Sequence, residues 1–302
     1  MITHDNPYAA QVRLLVNVLP FVTRESCFAL KGGTAINLFV RDMPRLSVDI
    51  DLAFLPLTDR PTALQESDAA FARIQTALQS VSPPFSVQVA KREDGKTVRL
   101  LIADPGATIK IEVSPVLRGT VYPETMRSIT HTAETLFGFA EVRSLSFEDP
   151  YAGKIVAALD RQHPRDLFDT KILLEHEGVS EKLFRAFLVY LISHSDSLAR
   201  VIHPRAKPLK DLYEKQFRNM SAIDVSLEDL ETARSNLVQT LHAHIDGSTR
   251  EFLLSFKRGQ PKWDLLGVEH APDLPAVKWK LHNLSLLSPA KRKLAVAELE
   301  RV

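Results

Sequence analysis

Apolar residues recur at two different periods along this chain, and the change of period divides it. Residues 8–22 place Val12, Leu15, Val16 and Leu19 at helical spacing. The apolar run at 27–31 predicts a short strand, Gly32-Gly33 follows it, and "TAINLFV" predicts a helix opened by Thr34. Residues 45–53 alternate strictly, which predicts a strand. On such a strand Leu46, Val48, Ile50 and Leu52 face one way, while Arg45, Ser47, Asp49 and Asp51 face the other. Residues 63–80 repeat at helical period. "FSVQVAKRE" (85–93), "TVRLLIAD" (97–104) and "TIKIEVSP" (108–115) predict three more strands, the last two joined as a hairpin by the turn "DPGA".

From residue 146 onward the period is helical. "SFEDPYAGKIVAALDRQ" opens on a cap-like Ser146-x-x-Asp149. Residues 165–176, 180–199, 226–246, 249–258, 275–287 and 289–301 follow as helices, the last started by Pro289 after Ser288. No strand is predicted in this half. The pattern predicts an α+β protein: a mixed-sheet domain over residues 1–147, then an all-helical domain over residues 148–302.

Composition narrows the classes. A chain of 302 residues holds one large domain or two ordinary ones, and 45% apolar with 25% charged residues is the composition of a soluble globular protein. A net charge of +1 asks for no nucleic-acid or membrane partner by itself. The single cysteine, Cys27, excludes an internal disulfide and a cysteine-cluster metal site. The N-terminus does not read as a secretory signal, and no apolar run approaches the roughly 20 residues that span a bilayer. A cytoplasmic location is the expectation. The ten histidines show no zinc-protease spacing, and no histidine lies close to Cys27 in sequence.

Three stretches carry chemistry. "RLSVDIDL" sets Asp49 and Asp51 on one strand face, roughly 7 Å apart by the rise of a strand. Carboxylates so placed repel each other unless a cation joins them, and Mg²⁺ favours one or two carboxylates plus substrate phosphates. Upstream, "LKGGTAINLF" reads as strand, Gly-Gly turn and helix start, a backbone cradle for an anion. Thr34 would cap the helix or offer its hydroxyl to a phosphate. No Walker A spacing occurs. On the strand "IKIEVSP", Glu112 is the only acid and shares a face with Lys110 and Ser114.

Cradle and D-x-D strand together resemble the polymerase-beta-like nucleotidyltransferase superfamily. Within it, "KGGTAINLF…RLSVDIDLAF" resembles the AbiEii/AbiGii toxin family, which includes MenT-type toxins. A second region, "GKIVAALDRQHPRDLFDT", matches the family's helical lysine and its Arg-Asp with a later Asp: Lys154, Arg161, Arg165, Asp166 and Asp169. The resemblance covers roughly residues 28–176 by motif. It departs in one respect: family members often carry Gly-Ser where this chain has Gly33-Thr34.

The resemblance implies a residue set. Asp49 and Asp51 are the metal ligands, with Glu112 as third carboxylate. Gly32, Gly33, Thr34 and Ser47 line the triphosphate side. Lys154 faces the nucleotide phosphates, and Asp169, with Asp166, is the acid required in the second region. Arg161 and Arg165 bind phosphate or pair with these acids. It implies Mg²⁺ (or Mn²⁺), an NTP substrate, a tRNA acceptor and a cognate antitoxin, with the helical domain completing the cleft. Transfer to a protein hydroxyl and a non-catalytic NTP- or RNA-binding module are the alternatives. Local charge favours RNA: six Lys/Arg between Arg200 and Met220, and Lys278, Lys280, Lys291, Arg292 and Lys293 near the end, with Trp279 available to stack a base.

Overall fold

The computed structural model describes residues 6–91, 93 and 95–301. The chain forms two compact units, one of residues 1–150 with 218–224, the other of residues 151–217 with 225–302.

The first unit opens with α1 (Ala9–Val22), which leads into β1 (Phe28–Lys31). α2 (Gly32–Thr34) starts directly on the glycines and runs on as a π-helix over Ala35–Val40. β2 (Asp49–Phe54), α3 (Arg60–Gln79), β3 (Ser86–Lys91), β4 (Thr97–Ala103) and β5 (Thr108–Arg118) follow. β6 (Thr125–Ser128), α4 (His131–Phe137) and β7 (Glu141–Ser144) complete the set. The sheet order is β3-β4-β5-β2-β1-β7-β6. β2 runs parallel to β5 and β1 parallel to β7, and the other pairs are antiparallel, so the sheet is mixed. The β4–β5 hairpin turns on Asp104, whose Oδ1 accepts the N–H groups of Gly106 and Ala107 at 2.8 Å each.

The alternation read in the sequence holds through the centre of β2. Ile50 and Leu52 join the core with Leu100, Ile109 and Ile111, while Asp49 and Asp51 stay half-buried on the other face. The strand is shorter than expected, because residues 45–48 pair with no neighbouring strand of the sheet. They are held from far along the chain instead. Leu46 N–H donates to the Met220 carbonyl at 2.7 Å, Ala222 N–H to the Pro44 carbonyl at 2.8 Å, and Arg45 bridges to Ser221. Residues 218–224 therefore belong to the first unit, a discontinuity with no local signature in the sequence.

α5 (Glu148–Asp160) begins at the end of the first unit. Its cap-like start is as read: Asp149 accepts from the Ser146 hydroxyl at 2.9 Å. The same buried carboxylate also takes the N–H groups of Val121 and Tyr122 at 2.8 and 3.0 Å.

The second unit contains α6 (Pro164–His176), α7 (Glu181–Ser193), α8 (Leu198–Ile202), α9 (Lys210–Gln216) and α10 (Leu227–His244). α11 (Gly247–Arg258), α12 (Pro275–Ser285) and α13 (Pro289–Glu300) follow. Its described residues form no strand. Caps fix the helix starts, among them a reciprocal Ser226–Asp229 capping box on α10 and Ser180 and Asp246 on α7 and α11. Among the described residues no helix is long and apolar enough to cross a membrane.

Candidate active site

The polar face of the sheet carries a row of charges set by strand register. Lys31 on β1 lies opposite Asp51 on β2, Asp51 opposite Glu112 on β5, and Glu112 opposite Arg99 on β4. The row reads cation, anion, anion, cation across four strands. Two residues down the strands, Asp49 lies opposite Lys110. Lys110 Nζ sits 3.0 Å from Glu112 Oε2 and 3.7 Å from Asp49 Oδ2, and Arg99 pairs closely with Glu112. Burial opposes ionisation of Glu112, but Lys110 and Arg99 overcome it and hold the carboxyl below its ordinary range. Lys110 is held above its ordinary value by Glu112 and Asp49 despite desolvation. A cleft of about 280 Å³ opens here, lined by Lys31, Asp51, Val98, Glu112, Val113 and Ser114.

The glycine turn abuts this row. Gly32 adopts φ +73°, and a Cβ placed on it would lie 2.7 Å from Asp51 Oδ2. A Cβ on Gly33 would lie 2.8 Å from the Arg45 guanidinium and 3.0 Å from Ser47 Oγ. The left-handed conformation and the contact with Asp51 favour glycine at 32, while at 33 a side chain would have to displace the Arg45 guanidinium. The helix begins at Gly32, so its first N–H groups, which lack intrahelical acceptors, belong to this turn.

Thr34 departs from expectation. It does not cap the helix: Lys31 occupies the cap position, with no side-chain cap. Its hydroxyl is buried, donates to the Asp49 carbonyl at 2.5 Å and lies 2.9 Å from Ser47 Oγ. Thr34 and Ser47 therefore tie the turn to the start of β2. Arg45 is 1% exposed, and its guanidinium donates to the Leu46 carbonyl.

The donor set suits a hard divalent cation. Asp49 and Asp51 offer carboxylate oxygens side by side, and the Lys110 ammonium shows that positive charge is stabilised next to Asp49. Among the described residues no three His, Cys, Asp or Glu side chains converge as a ready ligand cluster. Glu112, opposite Asp51 in register, is paired with Arg99 and Lys110.

The second region is a buried ion cluster inside the helical unit. Lys154 on α5 donates to Asp166 Oδ1 at 2.7 Å and lies 3.1 Å from Asp169 Oδ2, both on α6. Arg161 donates to Asp166 twice, at 2.6 and 3.0 Å. The heptad spacing of Lys154 and Arg161 brings both to one carboxylate. Asp166 is fully buried; burial alone would raise its pKa, but the two cations drive it far below the carboxylate range. Asp166 has no exposed surface, and both of its oxygens are engaged by Lys154 and Arg161.

Comparison with known proteins gives the family. The model of the AbiEii nucleotidyltransferase toxins of type IV toxin–antitoxin systems matches residues 13–283. The chain belongs to this AbiEii family. It is a toxin-type nucleotidyltransferase, an enzyme, with an NTP substrate and an antitoxin counterpart implied by the family. No curated protein matches it. Among solved structures it is similar to MenT4, a nucleotidyltransferase toxin of Mycobacterium tuberculosis H37Rv. That likeness has a TM-score of 0.63 at 14% identity, over 93% of this chain and 94% of the other, and shows the shared fold.

Sequence reasoning missed two cations of this AbiEii face, Lys31 as a cleft residue and Lys110 as the bridge between Asp49 and Glu112. Alternation placed Lys110 beside Glu112, which was the available signal; Lys31 shows its place only through the β1–β2 register. Other candidates fall away. The Cys27 thiol is pushed up to about 11 by burial and by Glu25, which makes it a poor nucleophile. His242 and His244 are tied to the Ile202 and Val179 carbonyls. Trp279 is 55% exposed and stacks on His282, so it is not a core residue.

Proposed function

We propose that this toxin transfers a nucleoside monophosphate from an NTP to an RNA hydroxyl, at a tRNA 3′ end, in a Mg²⁺-dependent reaction that releases pyrophosphate. The observation that carries the proposal is the close approach of the Gly32 turn to Asp51. It sets backbone donors suited to phosphates directly against carboxylates suited to a cation. In this reading Asp49 and Asp51 hold Mg²⁺, or Mn²⁺ in its place. Gly32 and Gly33 let the triphosphate approach the backbone, and Thr34 and Ser47 fix the turn that receives it. Lys154, oriented by Asp166 and Asp169, neutralises triphosphate charge, and Arg161 adds to that field.

The bound metal supplies charge neutralisation and orientation. The acceptor hydroxyl gives up its proton to water, its oxygen bonds to the α-phosphorus as the bond to the α,β-bridging oxygen breaks, and the electron pair leaves with pyrophosphate. Positioning and charge supply most of the acceleration in such transfers, which suits a site of acids, lysines and glycines. An RNA acceptor is supported by the exposed Trp279, with Lys278 beside it 61% exposed at its side chain. The catalytic cradle is assigned to residues 1–147 and the second region to residues 148–302, in a cytoplasmic protein restrained by its antitoxin.

The test incubates the protein with Mg²⁺, each α-labelled NTP in turn, and total tRNA. An Asp49→Ala/Asp51→Ala variant is the control. Label in RNA, absent from the control, is the expected outcome. Label in a protein band instead overturns the RNA acceptor, and no label above the control with any NTP overturns the transfer.

A further inference from the structure

Of Lys31, Arg99 and Lys110 on the cleft side of the sheet, two have close partners. Arg99 is paired with Glu112, and Lys110 with Glu112 and Asp49. Lys31 differs. Register sets it across from Asp51, on the opposite side from Glu112, and it lines the same cleft. Among the described residues its ammonium makes no hydrogen bond or ion pair at contact distance; Asp51 acts on it only at longer range. The surrounding protein desolvates it and lowers its pKa, with Asp51 offsetting that in part.

Lys31 is half-buried at the cleft, and a partly desolvated cation without a contact partner costs stability. The cost is recovered when an anion arrives. Lys31 directly precedes Gly32, the residue whose turn lies against Asp51. Lysine binds phosphate as a point charge and tolerates several approach directions, which suits a position at the end of a strand.

We propose that Lys31 is a nucleotide-binding residue whose ammonium pairs with a phosphate oxygen of the NTP on the β1 side of Asp51. This inference rests on the reading of the sheet face as the nucleotide site. It adds a cation from the strand to the helical Lys154. It also assigns a reason for leaving Lys31 unpaired: a carboxylate placed to match it would repel the triphosphate.

The proposal predicts opposite effects of one substitution on stability and on binding. Lys31→Met removes an unmatched charge and keeps the apolar stem. The melting temperature of the nucleotide-free protein should rise, by about 2–4 °C for each kcal/mol relieved. Affinity for a non-hydrolysable α,β-methylene NTP, titrated by calorimetry in Ca²⁺ with each of the four bases, should fall about 10- to 100-fold. Lys31→Arg should restore most of the affinity.

Unchanged affinity in Lys31→Met, with tight binding by the wild type, overturns this inference alone. A lowered melting temperature with binding lost in both variants marks a structural lysine and overturns it too. A wild type that binds no analogue with any base overturns the nucleotide-site reading and this inference with it.

Discussion

Replacing Asp166 by Asn tests the buried cluster without reference to activity. The change is nearly isosteric, so packing is kept and charge is not. In the wild type Lys154 and Arg161 pair with Asp166, and Lys154 also with Asp169. The amide removes one negative charge from between the two cations, and its NH₂ meets N–H donors where an oxygen stood. Removing one partner of a buried pair typically costs about 3–5 kcal/mol, because the other charge stays buried. Lys154, with 10% of its side chain exposed, carries most of this, and Arg161, 59% exposed, relaxes into water and carries little. An expectation near 3 kcal/mol follows.

Both tryptophans, Trp263 and Trp279, lie in the helical unit, so tryptophan fluorescence in urea follows that unit selectively. The pH dependence has a definite sign. Asp166 has a depressed folded pKa, so its stabilisation is complete above the unfolded carboxylate value of 3.8 and is lost as pH falls below it. The wild-type minus variant difference should therefore be flat from about pH 7 to 5 and shrink at lower pH. A difference under about 1 kcal/mol at pH 7, or one that grows on acidification, would refute the electrostatic account.

Two further substitutions probe the sheet face. Gly32→Ala places a Cβ 2.7 Å from Asp51 Oδ2 at φ +73°, so it should lower the melting temperature by a few degrees and cut nucleotide transfer by at least about 100-fold; a rate within a few-fold of wild type would show that the close approach is not needed. Lys110→Met removes a cation that competes for Asp49 and Glu112. With about 0.5–1 kcal/mol for each of two part-exposed pairs, Mn²⁺ binding followed by electron paramagnetic resonance without nucleotide should tighten about 5- to 30-fold. Weaker binding would make Lys110 a support for the site rather than a competitor.

What the sequence made legible was what is local. The D-x-D face needed only the two-residue period of Ile50 and Leu52, the β4–β5 hairpin only its Asp104 turn, and the α5 start only Ser146 and Asp149. The heptad of Lys154 and Arg161 likewise needed no tertiary knowledge to share a face. The failures are cross-strand or distant. Lys31 and Lys110 acquire their neighbours from the order β4-β5-β2-β1, which no local period encodes. The Thr34 hydroxyl is taken by the Asp49 carbonyl, a partner fifteen residues away. β6 and β7 escaped because "TMRS" and "EVRS" are too short and polar to show alternation. α9 buries no residue of its own and lacks an apolar stripe.

The pairing of residues 44–46 with 220–222 sets a timetable for synthesis. The segment that leads into Asp49 stays unsecured until Met220 and Ala222 have been made and have left the ribosome. By then much of the helical half has been translated. A nascent or prematurely ended chain can carry Asp49, Asp51 and the glycine turn and still lack the lock on their approach.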